Sequence, residues 1–297
     1  MLVDALMGDD TPTDSLRLGV IRVTGPDAGE FLRAQLSNDV SRLGPDRHFL
    51  AAWCDAKGRT QLVLRVVATP EAYLLLLPQS LVESALKRLR MFVLRSKVEL
   101  ADVGARYGIV GLHDADAAPQ VNETAIHDGQ IWLGLPGSAE HPGRTLVLHT
   151  ADTAAPDPAL AADSSAWLLS DIDAGVPQVT AATQGEFVPQ MLNLHWLMAV
   201  DFDKGCYPGQ EVIARLHYRG RLTRRVFRLA WTGTCPMPGE LVHDEAGDLA
   251  GQILQAAGDD AGRALAVLKI EAAARNGLRA ENAGALTPLA LPYPTPD

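Results

Sequence analysis

Lys204 to Glu211, reading KGCYPGQE, is the most informative stretch of the chain, placing an amine, a thiol and a carboxylate close together. Gly205 and Gly209 permit close backbone approach or positive φ, Pro208 suits a first helical turn, and Val212, Ile213 and Leu216 open an apolar helical face. Cys206 is therefore expected just ahead of a helix amino terminus. That helix end, with Lys204 nearby, favours the thiolate, giving a nucleophile, a redox-sensitive thiol or a soft metal ligand. The plainer reading is a buried structural cysteine, since free Cys is among the most buried residue types. Glu211 falls in the first helical turn, where it either caps the helix or offers two acceptors to a heterocycle such as the aminopyrimidine edge of a pterin.

Downstream, arginines stand at 215, 219, 221, 224, 225 and 228 with no Asp or Glu between them, in a chain carrying a net charge of −10. Guanidinium pairs bidentately with carboxylate or phosphate, so the run suits an anionic ligand or an RNA phosphate; it equally suits a solvated face between domains. Tyr218 beside Arg219 adds one stacking group. The acidic balance opposes non-specific binding to nucleic acid or anionic lipid, so any RNA contact must be local. Cys54, Cys206 and Cys235 form no CxxC pair, and His195, His217 and His243 lack ligand spacing. Neither a disulfide framework nor a metal site is expected. GxGxxG, P-loop and GxSxG patterns are absent.

The elements that must hold these residues follow from periodicity. With 297 residues, 47% of them hydrophobic and 21% charged, the chain can bury a sizeable core, and its length suggests roughly two domains, with one or three open. Alternation up to Val23 marks a strand; Gly25-Pro26-Asp27 turns into a helix carrying Phe31, Leu32, Gln35 and Leu36 on one stripe. Phe49 to Cys54, Thr60 to Ala68 and Ala72 to Leu77 read as a strand meander, followed by a helix with Leu81, Ala85, Leu89 and Phe92 on one face. Further strands are expected at Lys97 to Val103, Tyr107 to Leu112, Ile131 to Leu135 and Thr145 to His149. An Ala/Asp/Pro/Ser connector precedes Trp167, and short strands at roughly ten-residue spacing after Val226 suggest a small antiparallel barrel. The longest apolar run, Ala72 to Leu77, is far short of the roughly 18 residues a membrane helix needs. The stretch MLVDALMGDDTPTDS lacks the basic region of a secretory signal, so a cytoplasmic protein is expected.

FVPQMLNL (187–194) followed by DFDKGCYPGQEVIAR (201–215) resembles the signature of the YgfZ family of folate-binding proteins, relatives of the aminomethyltransferase (T-protein) of the glycine cleavage system. VTGPDAGEFLRAQLSNDV, HFLAAWCDAKGR, WLLSDIDAGVP and LALPYP resemble further segments of that family in order, so the likeness covers nearly the whole chain. It implies an α+β ring of three domains around a central tetrahydrofolate pocket: residues 1–48 with 160–222, residues 49–159, and a carboxy-terminal β-barrel at 223–297. It further implies an accessory role in assembling or repairing iron-sulfur enzymes, including those that methylthiolate tRNA. Cys206 with Lys204 is then the functional pair, and Trp167, Gln210, Glu211, Arg215 and Arg224 are the folate-binding set, Trp167 stacking on the ligand. The expected partners are folate and iron-sulfur enzymes or their assembly proteins. Contact with tRNA would be indirect, no membrane is involved, and the chain is a monomer. Two departures stand out. No carboxylate follows Lys57-Gly58-Arg59, where the aminomethyltransferases use one, which argues against the alternative of aminomethyl transfer; and Leu18 replaces an aromatic residue. The other alternative is a tRNA-binding module built on the arginine run.

Overall fold

A computed structural model of the chain describes residues 16–115, 118–275 and 277–295. The stretch read above for its missing secretory signal, residues 1–15, lies outside them.

Strands β1 (Leu18–Thr24), β2 (His48–Cys54), β3 (Thr60–Ala68), β4 (Tyr73–Pro78) and β5 (Glu99–Asp102) form an antiparallel sheet of order β2-β3-β4-β1-β5. Helices α1 (Ala28–Gln35) and α2 (Val82–Arg90) cover one face. The period of two sorts each strand between two cores: Ile21, Val23, Ala51, Trp53, Leu62 and Leu64 turn to the helices, while Val20, Leu50, Ala52 and Val63 turn the other way. Burial on both faces explains why β4 reads as an unbroken apolar run. The division at residue 48 inferred from the resemblance would pass through this sheet, because β1 pairs with both β4 and β5. Long-range pairing of that kind leaves no mark on local periodicity.

A second antiparallel sheet, β6 (Gly108–His113), β7 (Thr124–His127), β8 (Gln130–Leu135) and β9 (Arg144–His149), has the order β6-β9-β8-β7. Ile109, Leu133, Leu146 and Leu148 from it pack with Val20, Leu74 and Leu76 of the first. Helix α3 (Ser164–Asp173) begins at Asp163, whose carboxylate accepts the Ala166 amide at 2.8 Å. After a largely irregular stretch comes α4 (Gln210–Arg219), then a closed barrel of order β10-β13-β12-β11-β14-β15. Its strands are β10 (Arg224–Thr232), β11 (Leu241–His243), β12 (Leu249–Gly258), β13 (Ala261–Lys269), β14 (Leu278–Ala280) and β15 (Ala285–Leu289), with one helical turn, α5 (Ile270–Ala273), after β13. Trp231 fills the barrel and donates its indole N–H to the Arg263 carbonyl at 3.2 Å. The α+β architecture with antiparallel sheets and a carboxy-terminal barrel is the one expected from the sequence. No helix among the described residues is long and apolar enough to cross a membrane.

Candidate functional site

The KGCYPGQE loop is held at both ends by segments far away in sequence. At its start, Lys204 is buried and donates from Nζ to the carbonyls of Arg33 and Leu36, completing the carboxy-terminal end of α1. Burial pushes this ammonium down to about 8, against the pull of Asp39. Just upstream, the Ser37 hydroxyl donates to the Ala199 carbonyl at 2.7 Å, and the Asp201 amide donates to the Ser37 carbonyl at 2.9 Å. The loop is thereby stitched to the end of α1.

At the other end, Gly209 has φ +79° and no room for a side chain: a Cβ there would sit 2.4 Å from the Gly58 Cα. That contact clamps the start of α4 on the turn between β2 and β3. The turn is itself rigid, because Asp55 Oδ1 accepts the amides of Lys57 at 2.8 Å and Arg59 at 3.0 Å. Arg59 also donates to the Glu186 carbonyl at 2.6 Å, and Gln190 donates to the carbonyl of buried Ile213 at 2.6 Å. Two stretches about 150 residues apart thus form one surface.

Cys206 lies on this loop with its thiol exposed, contrary to the buried structural reading. Lys204 points away from it into the protein, but the Arg33 guanidinium fills the space beside Gly205, where a Cβ would be 3.1 Å from Nη2. Arg33 is in turn paired with Asp39 at 3.3 Å. Next to Cys206, Tyr207 is buried with the Lys204 ammonium 4.7 Å from its ring centre. The other thiols differ: burial drives Cys54 up to about 12, and also raises half-buried Cys235.

Gln210 folds back, donating to the Lys204 carbonyl at 3.2 Å, while Glu211 is exposed in the first turn of α4. Beyond them Lys57, Arg59, Arg215 and Arg219 rim a hollow of about 410 Å³ whose apolar lining includes Met191 and Leu216. Cations over an apolar floor suit a ligand with a flat body and carboxylate or phosphate groups. Arg224, at the start of β10, pairs across to Lys269 and is not part of this lining.

Trp167, expected to stack on a ligand, lies in the core at 5% exposure. The Arg144 guanidinium sits 4.4 Å from its ring centre, and Gly111 packs so tightly that a Cβ would come 2.2 Å from Cε3. Arg144 is anchored on Asp171 at 2.6 Å. The structure therefore brings Cys206, Lys204, Gln210, Glu211 and Arg215 together on one loop and helix, and leaves Trp167 and Arg224 elsewhere. It also reveals a cluster the sequence did not flag. Asp173, at the end of α3, takes Arg228 at 3.3 Å and Arg263 at 3.8 Å from the barrel. Burial still raises its carboxyl above the usual range, outweighing both guanidinium groups. Only Arg228 had a local signal, as a member of the arginine run. Among the described residues, no three His, Cys, Asp or Glu side chains converge as metal ligands.

No family model matches the sequence. Among characterised proteins, tRNA-modifying protein YgfZ of Cronobacter sakazakii is 32% identical over 266 residues, covering 82% of this chain and 79% of its own. Among solved structures, the glycine cleavage system aminomethyltransferase T from Bartonella henselae gives a TM-score of 0.69 over 94% of this chain and 84% of that one, at 13% identity, a likeness of fold alone. Identity at that level over most of both chains, joined to the shared fold and the KGCYPGQE loop, places this chain in the YgfZ family.

Proposed function

We propose that the protein is a tetrahydrofolate-binding accessory factor, working in the cytoplasm as a monomer, that maintains iron-sulfur enzymes, tRNA-modifying enzymes among them. The observation that carries this reading is the clamp between Gly209 and Gly58, which gathers cations from two remote segments over an apolar floor. In this reading the p-aminobenzoyl ring of the folate lies on Met191 and Leu216, and its glutamate carboxylates meet Arg215 and Arg219. Gln210 and Glu211 lie earlier on the same helix, toward the pterin end, and the exposed Cys206 thiol faces whatever approaches the bound folate. Trp167 enters only as the core side chain that supports α3. Aminomethyl transfer fits less well, because the one carboxylate of the β2–β3 turn, Asp55, is engaged by the Lys57 and Arg59 amides and by Gln61 at 3.3 Å. The name of the Cronobacter relative is the support for a client that acts on tRNA.

The test is an anaerobic calorimetric titration of tetrahydrofolate triglutamate into wild type and Arg215→Glu. Saturable binding weakened about tenfold or more by the charge reversal is expected, since a charge-assisted hydrogen bond contributes about 1.5–3 kcal/mol. Absence of binding to wild type, or equal binding by both proteins, would overturn the folate assignment. For the client, Cys206→Ala in a deletion strain should leave tRNA methylthiolation unrestored.

A further inference from the structure

Helix α4 has a second working side. His217 and Tyr218 turn away from the cationic hollow and line a separate one of about 480 Å³, shared with Asn38, His195, Phe202 and Asp203. Its wall is a stack of rings. Phe202 and His217 lie 3.7 Å apart at 11°, and Tyr218 stands edge-on to His217 with ring centres 4.8 Å apart. Tyr218 is 64% exposed, as is the Met198 side chain at 67%, so large apolar surface remains uncovered at the mouth. Met198 holds a left-handed backbone, φ 54°, uncommon for so bulky a residue.

The polar groups of the hollow are those of base recognition. His195 Nδ1 is buried without a hydrogen-bond partner. Burial and neighbouring His217 push this ring down to about 4, so at neutral pH it carries one donor and one acceptor nitrogen. Asp201 accepts Arg42 at 2.9 Å and the Asp203 amide at 2.9 Å, and the Asp203 carboxylate remains exposed. Carboxylates inside the hollow repel phosphate but accept exocyclic amino groups. One cation, Arg42, lines the hollow itself and is paired there with Asp201; the others lie across the helix, Arg215 and Arg219 on the far side, with Arg221 exposed just beyond the helix end.

We propose that this hollow seats one unstacked base of single-stranded RNA against Phe202, His217 and Tyr218, with the adjoining phosphates crossing the end of α4 to Arg219 and Arg221. This division, stacking rings and acceptors on one side and guanidinium groups on the other, is the arrangement by which proteins hold single strands. A free nucleotide would offer the same base, but it lacks the run of phosphates that can cross the end of the helix. The proposal shares only Arg219 with the folate reading, whose other contacts lie on the opposite face of α4.

The experiment is fluorescence anisotropy of a labelled twelve-nucleotide RNA of mixed A and U with the full chain. Saturable binding that weakens with added salt is expected, and Tyr218→Ala should raise Kd about tenfold, the scale of one lost base–aromatic stack. Tyr218 is exposed, so the variant should keep the wild-type circular dichroism and the wild-type folate titration. No binding at 50 mM salt, or an unchanged Kd for Tyr218→Ala, would overturn the proposal. Displacement of the RNA by adenosine monophosphate at equimolar level would assign the hollow to free nucleotides and overturn it as an RNA seat. Loss of folate binding in Tyr218→Ala would do the same in favour of a pterin.

Discussion

Lys204→Met separates a lysine that supports the fold from one that does chemistry. Methionine keeps the length and apolar stem but withdraws the ammonium from the Arg33 and Leu36 carbonyls. Burial lowers the Lys204 pKa from 10.5 to about 8, so the unfolded chain holds this proton more tightly than the folded one. The contribution of Lys204 to wild-type stability therefore rises as pH climbs from about 8 toward 10.5, where the two states differ in its protonation. Between pH 7 and 9.5 the linkage amounts to about 2 kcal/mol. The methionine variant loses two hydrogen bonds and is expected to be less stable at pH 7 by about 1–3 kcal/mol. More tellingly, it lacks the titrating group, so the gap between the two proteins should widen by about 2 kcal/mol from pH 7 to 9.5. Urea denaturation of both proteins at four pH values would measure this. Parallel stability curves would refute the reasoning, as would a variant with wild-type stability throughout.

Gly209→Ala must adopt a left-handed conformation costing about 1–2 kcal/mol and must also push its Cβ away from the Gly58 backbone. A loss of at least about 2 kcal/mol is expected, together with weaker folate binding, because the clamp positions both rims of the cationic hollow. In native protein, iodoacetamide should label Cys206 first, Cys235 slowly and Cys54 only on unfolding, as read by peptide mass spectrometry. Trp167→Ala should cost about 3–5 kcal/mol in denaturation, whereas a folate titration of Trp167→Phe should match wild type if the indole is a core group.

The strands β2 to β4 were legible because apolar runs are punctuated by Asp55-Ala56-Lys57-Gly58 and Thr69-Pro70-Glu71, turn residues with local mechanisms. The start of α4 was legible for the same reason, its left-handed Gly209 announcing the helix. β7, four residues with half of them exposed, gave too short an alternation to register. The order of the first sheet was hidden because β1 reaches β5 across about 75 residues, and pairing that distant is decided by tertiary packing. Within the site, residue types were readable but directions were not. A lysine next to a cysteine suggests a charged pair, yet the open carbonyls of α1 draw the ammonium inward. A tryptophan before an apolar run suits a ligand face or a core equally; Gly111 on β6, which leaves room for the ring, decides for the core.

The two-ended anchorage of the Cys206 loop bears on signalling. A thiol reports its chemical state through the fold only if its surroundings have two arrangements that the modification tells apart. Here the loop is bound at one end to α1 and at the other to the β2–β3 turn, and Cys206 is exposed. Both anchorages hold the backbone on either side of Cys206, while the exposed side of the residue is open to an adduct. Whatever this sulfur acquires is carried outward, legible to a molecule that docks against it and silent to the rest of the chain.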